Sequence, residues 1–292
     1  MNSQLRAAAV LTRPAQWPIL TAQLAVGMVL AWPVGIINWS AVGFAWLAWV
    51  VMLNGGTLAF NSAYDKDTGP VAYLAAPPVP PSWLAVAALL LMNSGALLGY
   101  LLVADSFGLI TSACVVLSVL YSHPSVRLKS KPGWDLAANI VGYGAGTTVA
   151  GISALSGQAP DHVGWWFVGG FGLLFGSFYP LTQIYQTEAD LARGDATLCT
   201  VLGIRRSLVF AIILGALGSA AIWQGCVLGG KIGATSWPWL LLTSFSVWCL
   251  HLAWWWHKAK TMTSQQHEKY MYHALGIWAF IDVSLIAVWL LG

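Results

Sequence analysis

The chain has 292 residues, of which 58% are hydrophobic and only 8% are charged, with a formal net charge of +3 at pH 7. Soluble domains carry about a quarter of their residues as charged side chains, so this composition excludes a soluble globular protein and predicts a polytopic membrane protein. We expect the lipid bilayer as its partner, and no nucleic acid. The four cysteines show no paired or metal-ligand spacing, so we expect them to pack within apolar segments.

Nine apolar segments are long enough to cross a bilayer as α-helices. In chain order they cover residues 17–38, 40–61, 82–104, 107–122, 136–157, 164–186, 206–229, 236–257 and 272–291. Tryptophans stand where several segments reach the membrane–water interface, as in Trp165–Trp166 and Trp254–Trp256. We therefore predict an all-α polytopic membrane protein with nine transmembrane helices, forming a single domain over residues 1–292.

The basic residues predict the orientation of these helices. The loops that fall on the same side as the N-terminus lie near residues 62–81, 122–135, 187–205 and 258–271. That side receives every lysine and arginine except Lys231. Because cytoplasmic loops carry the excess of basic residues, we expect a cytoplasmic N-terminus, an outside C-terminus and a location in the cell (inner) membrane.

Acidic side chains cluster at the predicted cytoplasmic ends of the second and sixth spans. The first cluster is "NSAYDKD", in which Asn61 and Asp65 lie four residues apart and share one face of a helix. Asp67 lies two residues further on and joins this face only if the helix unwinds locally. Acidic residues contribute little to membrane topology, so their clustering indicates a functional role.

The second cluster lies in "QIYQTEADLARGDATL" and repeats the arrangement. Gln186 and Asp190 lie four residues apart, Gln183 stands one helical turn earlier, and Glu188 is offset by two residues. Magnesium takes oxygen ligands and commonly bridges a few carboxylates to substrate phosphates. We therefore predict that the two clusters share a Mg²⁺ site. The predicted ligands are Asn61, Asp65, Asp67, Gln186, Glu188 and Asp190.

A basic loop lies between the two clusters in the sequence. It reads "YSHPSVRLKSKPGWD" and contains Arg127, Lys129 and Lys131. Arginine and lysine beside acidic metal ligands suit a diphosphate, because both the metal and the cationic side chains can hold its oxygens. The alternative is a solvated loop whose charges only set the topology, and the sequence leaves both interpretations open.

These segments together resemble the motifs of the UbiA superfamily of intramembrane prenyltransferases. The positions in register with the family's two acidic motifs are Asn61, Asp65, Asp190, Gly194, Thr197 and Leu198. The stretch "YSHPSVRLK" is similar to the family's Tyr-Ser-x-Pro…Lys segment after the fourth helix. The resemblance covers nearly the whole chain, and it implies nine helices around a central cavity.

By that resemblance, Mg²⁺ assists the ionisation of an isoprenyl diphosphate, and the prenyl group passes to a lipophilic acceptor at loops on the cytoplasmic side. The implied catalytic residues are Asp65, Asp190, Arg127 and Lys129. The implied diphosphate-binding residues are Asn61, Arg127, Lys129 and Arg193. The residues expected to line the cavity are Tyr64, Tyr121, Asn139, Tyr143, Tyr179 and Gln183. The rings expected to face the allylic cation are those of Tyr64, Tyr121, Tyr179 and Tyr185.

The chain departs from the family pattern at several motif positions. Ser62 and Gly69 replace two aspartates of the first motif, Gln186 replaces the first aspartate of the second, and Ala196 stands where a basic residue is frequent. An amide can coordinate a metal but supplies no negative charge, so we expect weaker metal binding. Three functions stay open: a prenyltransferase, a membrane-embedded terpene cyclase of the same superfamily, and a non-catalytic lipid-binding member of the fold.

Overall fold

The structure of the protein is a computed structural model that describes residues 3–31, 37–66, 69, 71, 74–194, 196–233 and 237–292, apart from the side chains of Ala189 and Arg193. Twelve helices follow one another along the described residues. They are α1 (Ser3–Leu11), α2 (Trp17–Leu30), α3 (Trp39–Asp65), α4 (Leu84–Leu102), α5 (Asp105–Ser122), α6 (134–156), α7 (His162–Ile184), α8 (Thr187–Arg193), α9 (Leu198–Leu202), α10 (Ile204–Leu228), α11 (Pro238–Lys258) and α12 (Ser264–Leu291). The protein is therefore an all-α polytopic membrane protein, as predicted.

Six of the described helices are long and apolar enough to cross a membrane: α3, α4, α5, α7, α10 and α12. The other three predicted spans coincide with α2, α6 and α11. Of these, α2 is described over only 14 residues, and α6 and α11 carry glycine, threonine or tryptophan in place of many aliphatic side chains. The count of nine crossings and the orientation of the termini stay predictions.

Most helix boundaries differ by a few residues from the predicted spans, and two of the differences concern polar segments. The sixth predicted span reaches residue 186, but α7 ends at Ile184 and α8 begins at Thr187, whose hydroxyl donates to the last carbonyls of α7. The polar connection predicted near 258–271 is shorter than expected. Helix α12 already begins at Ser264, because Thr263 and Gln266 cap each other's backbone amides in a capping box.

The chain forms two compact units, which we call the N-terminal unit (Met1–Arg127 and Val149–Ala159) and the C-terminal unit (Leu128–Thr148 and Pro160–Gly292). In the N-terminal unit, α3 packs against α4 where Gly95 approaches the chain closely. A Cβ atom at Gly95 would lie 3.0 Å from the Ala48 carbonyl oxygen, so a larger side chain would push the two helices apart. Trp49 packs edge-on against Phe107 of α5. Because these contacts fix α3 and α5, they also fix the end of α3. This end carries the first acidic cluster, which we call the first acidic segment, and the second cluster is likewise the second acidic segment.

The core of the C-terminal unit is formed by α7, α10, α11 and α12. Glycines again allow close helix packing, because a Cβ atom at Gly218 would lie 2.8 Å from the Gly170 carbonyl oxygen. The buried Ser177 hydroxyl donates to the Ala211 carbonyl at 2.6 Å and accepts from the Trp248 indole at 3.0 Å. One side chain of α7 therefore connects α10 and α11, and this packing fixes the end of α7 that leads to the second acidic segment.

Two helices contain a widened segment with π-helical hydrogen bonding. One covers Leu47–Asn54 in α3 and ends two turns before Asn61. The other covers Ile140–Gly146 in α6 and contains Tyr143. Such segments are uncommon and frequently occur at functional sites. The hydrophobic pattern gave no indication of them, because a π-helical segment keeps the apolar composition of its neighbours.

Candidate functional site

The first acidic segment forms the last turn of α3. The Ser122 hydroxyl of α5 donates to the Asn61 side-chain oxygen at 3.0 Å, so the amide is held in one orientation. Asp65 is the last residue of the helix and is partly exposed. Lys66 follows with a positive φ of 50°, which ends the helix. The predicted ligand Asp67 lies outside the described residues.

An aromatic and a basic side chain flank this helix end. Tyr64 contacts Phe60 and His123 edge-on, with ring centroids 5.0 Å and 5.4 Å apart. On another side of the helix, the buried Ser62 hydroxyl accepts a hydrogen bond from the Arg13 guanidinium at 3.4 Å. The sequence patterns indicated no contacts for Ser122, His123 or Arg13. Their contacts join residues far apart in the chain, and no local pattern indicates such pairs.

The second acidic segment is the short helix α8. Asp190 is buried, Glu188 is exposed, and Gln186 is partly buried and donates from its amide to the Tyr185 hydroxyl at 2.9 Å. The backbone amide of Asp190 donates to the Gln186 carbonyl at 2.9 Å, so these two residues lie one helical turn apart, as predicted. Gly194 ends the helix with a φ of +73°, a conformation that a residue with a side chain adopts only with strain. The predicted diphosphate ligand Arg193 has its side chain outside the described part.

The cations of the basic loop belong to different units of the chain. Arg127 is the last residue of its part of the N-terminal unit, and it is exposed with a positive φ of 46°. Lys129 belongs to the C-terminal unit and lies, partly exposed, in the 3₁₀ turn Leu128–Ser130. The Lys131 carbonyl then accepts from the backbone amides of Trp134 and Asp135, so the turn leads directly into α6.

Asp135 is the fully buried acid of this region. One carboxylate oxygen accepts from the Gly133 amide at 2.9 Å, and the other accepts from the Gln183 side chain at 2.8 Å and from the Leu198 amide at 3.4 Å. The Gln183 side-chain oxygen accepts from the Cys199 amide at 3.2 Å. Gln183 was expected to line a cavity, whereas no role was predicted for Asp135. The available signal was its position in the first turn of a helix behind a glycine.

The remaining residues predicted to line a cavity have identifiable neighbours. Tyr143 stacks on Phe175 with ring centroids 5.4 Å apart, and Asn139 is buried and donates to the Asp135 carbonyl at 2.8 Å. Tyr121 and Tyr179 are partly buried in the N-terminal and C-terminal units, respectively. That these residues line one cavity stays a prediction.

The cysteines pack within the fold and are not paired with one another. All four are free, and Cys114, Cys199 and Cys226 are buried, which confirms the expected packing. Burial raises the pKa of the Cys199 thiol above its usual range, and the nearby charge of Asp190 raises it further, against hydrogen bonds to Thr187 and Ser207 that lower it. The thiol is therefore protonated at neutral pH and is a poor nucleophile.

Each acidic segment, taken by itself, carries oxygen donors of the kind that magnesium takes when it binds together with a diphosphate. Within the described residues, no group of three or more histidine, cysteine, aspartate or glutamate side chains is close enough to hold a metal. The first acidic segment instead provides the partly exposed carboxylate of Asp65 beside the amide of Asn61. The second provides the buried carboxylate of Asp190 beside the amide of Gln186. Magnesium is commonly held by one or two carboxylates together with substrate phosphates and water, and these residues can provide that share.

Comparison with known proteins identifies a family and a fold. The sequence model of the UbiA prenyltransferase family matches residues 17–280. No curated protein matches the chain. A UbiA homologue from Archaeoglobus fulgidus, solved with DMAPP and Mg²⁺, superposes with a TM-score of 0.67 at 17% identity, covering 94% of this chain and 99% of that one.

Two further solved structures have the same fold. A digeranylgeranylglyceryl phosphate synthase superposes with a TM-score of 0.71 at 14% identity, covering 98% of each chain. An apo UbiA homologue from Aeropyrum pernix K1 superposes with a TM-score of 0.61 at 17% identity, covering 94% of this chain and 96% of that one. At such identities the similarity establishes the fold alone.

Proposed function

The chain belongs to the UbiA prenyltransferase family, and on this premise we propose that it is a magnesium-dependent intramembrane prenyltransferase. In this proposal an isoprenyl diphosphate is ionised, pyrophosphate leaves, and a lipophilic acceptor captures the allylic cation. The main support is the last turn of α3. There the family's motif residues Asn61 and Asp65 lie one turn apart, and Ser122 holds the amide oxygen of Asn61 at 3.0 Å.

The relatives support the substrate class. Two structures of the Archaeoglobus fulgidus homologue hold an allylic diphosphate with Mg²⁺, DMAPP in one and GPP in the other. The proposal carries this substrate class and this metal over to the present chain. Bound Mg²⁺ would neutralise the negative charge that develops on the leaving diphosphate.

The protein residues would bind and orient the diphosphate and exclude water. Asp65 and Asp190 would provide the carboxylates, with oxygen ligands from Asn61 and Gln186. Further predicted ligands are Asp67 and Glu188, and the cations proposed to hold diphosphate oxygens are Arg127, Lys129 and Arg193. Apolar helices would accommodate the prenyl tail and protect the allylic cation from hydrolysis. We also propose that these loops face the cytoplasm and that the protein resides in the cell (inner) membrane.

The test uses purified protein in nanodiscs with geranyl, farnesyl and geranylgeranyl diphosphates, in magnesium or in EDTA, with cell lipid extract as acceptor. Pyrophosphate is quantified and the lipids are analysed by mass spectrometry. We expect magnesium-dependent release that Asp65→Asn and Asp190→Asn each abolish. The exposed Asp105, in the first turn of α5, provides the control Asp105→Asn, which should retain activity.

The products decide between the proposal and its alternatives. A prenylated acceptor supports the transferase, whereas a cyclic hydrocarbon without acceptor identifies a terpene cyclase. Absence of pyrophosphate release from every diphosphate would identify a non-catalytic, lipid-binding member of the family. Equal loss of activity in the Asp105→Asn control would refute the assignment of Asp65 and Asp190.

A further inference from the structure

The loop that carries the second acidic segment is closed at both ends by one side chain. Gln183 lies before this loop, near the end of α7, and Cys199 lies after it, in α9. The Gln183 side-chain oxygen accepts from the Cys199 backbone amide at 3.2 Å, across 16 residues of sequence. The Gln183 backbone carbonyl also accepts from the Gln186 amide at 3.0 Å. Asp190 therefore lies in a loop whose entry and exit are held together by Gln183.

The Asp135 carboxylate connects this closed loop to the basic turn. It accepts from the Gln183 side chain at 2.8 Å and from the Leu198 amide at 3.4 Å, and both donors belong to the ends of the loop. Its other oxygen accepts from the Gly133 amide at 2.9 Å, and Gly133 lies between Lys129 and α6. One buried carboxylate therefore connects the start of α6, into which the turn carrying Lys129 leads, with both ends of the loop that carries Asp190.

The hydrogen bonds between these segments require an acid at position 135 and an amide at position 183. Asp135 faces three N–H donors and is fully buried, so only an acceptor without protons of its own satisfies all of them. Gln183 must donate to Asp135 and at the same time accept from Cys199, which an amide can do and a carboxylate cannot. A buried polar network of this kind fixes one arrangement of the segments it joins.

We propose that Asp135 and Gln183 are positioning residues. They hold the turn that carries Lys129 and the loop that carries the second acidic segment in the arrangement needed to bind the diphosphate. This inference rests on the proposed function for the roles of Lys129 and Asp190. Neither Asp135 nor Gln183 contacts the substrate in this assignment. They act through the backbone segments that they hydrogen-bond.

The test exchanges the acid and the amide. Asp135→Asn replaces one of the two acceptor oxygens by an NH2 group, so either the Gly133 amide or the Gln183 and Leu198 donors lose their acceptor. Gln183→Glu brings two carboxylates face to face where the Gln183 nitrogen now lies 2.8 Å from the Asp135 oxygen, so each single variant breaks part of the network. In the double variant, the new asparagine can donate to the new glutamate, which still accepts from the Cys199 amide. We expect each single variant to lower kcat/KM for the prenyl diphosphate by about tenfold or more, mainly through KM, and the double variant to recover to within about threefold of wild type.

Asp161→Ala controls for a general loss of stability. Asp161 caps the opposite end of α7, where its carboxylate accepts from the Gly164 amide at 2.7 Å. This variant should lower the thermal unfolding midpoint in nanodiscs and leave kcat/KM unchanged. The positioning role is overturned if the single variants keep wild-type kcat/KM, if the double variant shows no recovery, or if Asp161→Ala loses as much activity as they do.

Hydrogen–deuterium exchange separates failure of this inference from failure of the proposed function. If the wild type releases no pyrophosphate, the proposed function is refuted, but the structural role of Asp135 and Gln183 can still be tested. The peptide containing Cys199 should then exchange faster in each single variant and return toward the wild-type rate in the double variant, whose glutamate still accepts from the Cys199 amide. The Leu198 amide should stay unprotected in the double variant, because the asparagine nitrogen that donates to the glutamate stands where the Asp135 oxygen accepted from Leu198. Unchanged exchange in the single variants would overturn the pair as a structural connection.

Discussion

Replacing Ser122 by alanine tests whether Asn61 acts through its side-chain oxygen. The Ser122 hydroxyl donates to that oxygen at 3.0 Å, and it is the contact from α5 that orients the amide. An amide oxygen has two acceptor positions, so it can accept from serine and still serve as a metal or substrate ligand. Without the hydroxyl, the oxygen of the partly buried Asn61 side chain loses this hydrogen bond and is held less firmly in the orientation needed for binding.

The expected loss follows from the free energy of one neutral hydrogen bond. Such a bond contributes about 0.5–1.5 kcal/mol net, and about 1.4 kcal/mol corresponds to a tenfold change. Ser122→Ala should therefore lower kcat/KM for the prenyl diphosphate by about 2- to 12-fold, on the same conversion. The magnesium concentration that gives half-maximal activity should rise by a similar factor, because the weakened ligand contributes to metal–diphosphate binding.

The assay is pyrophosphate release in nanodiscs, titrated with diphosphate and with magnesium, and the matched control lies on the same helix. Ser112 of α5 donates only to the Gly108 carbonyl one turn earlier, at 2.9 Å, so Ser112→Ala removes a hydroxyl without touching the acidic segment. Its kinetic parameters should equal those of wild type. An unaltered magnesium dependence in Ser122→Ala, or an equal loss in Ser112→Ala, would show that the orientation of Asn61 has no part in binding.

Three further changes test the second acidic segment and the core of the C-terminal unit. Gln186→Asp restores a carboxylate one turn before Asp190 and should lower the magnesium concentration for half-maximal activity, whereas the same change at the exposed loop residue Gln158 should not. Gly194→Ala should lower the free energy of unfolding by about 1 kcal/mol, because the φ of +73° at this position strains any side chain. Gly169 lies in α7 with open space around it, so Gly169→Ala should raise the free energy of unfolding by about 0.5–1 kcal/mol. Thermal unfolding in nanodiscs compares the two variants. In the same measurement, Ser177→Ala should lower the free energy of unfolding by about 1–3 kcal/mol, because it leaves the buried Trp248 indole N–H without its acceptor. A smaller decrease would show that the indole finds another hydrogen-bond partner.

The sequence predicted the helices better than the contacts between them. Apolar runs of spanning length require helices, because a backbone inside a bilayer must satisfy its own hydrogen bonds. Each predicted span accordingly coincides with a helix among the described residues. The helical spacing also predicted that Gln186 and Asp190 lie one turn apart, which the backbone bond between them confirms.

The contacts that orient the functional side chains could not be predicted in the same way. Ser122 and Asn61 are separated by 61 residues, and Gln183 and Asp135 by 48. Pairing across such distances is decided by which helix faces meet, and hydrophobic periodicity in a membrane protein does not encode this, since lipid-facing and protein-facing surfaces are equally apolar. Asp135 illustrates the consequence. Its position at the end of the basic loop indicated only a further acidic residue on the predicted cytoplasmic side, and not the network that it forms.

The departures from the family's motifs differ in what they change. Ser62 is buried and accepts from Arg13, so the replacement of an aspartate there alters the surroundings of a buried guanidinium. Gln186 stands one turn from Asp190, so its replacement removes a negative charge beside a proposed ligand. With fewer carboxylates, the protein alone attracts a dication less strongly, and most of the compensating negative charge must come from the diphosphate itself. The proposal therefore implies that magnesium and the prenyl diphosphate bind together, with each weakly held in the absence of the other.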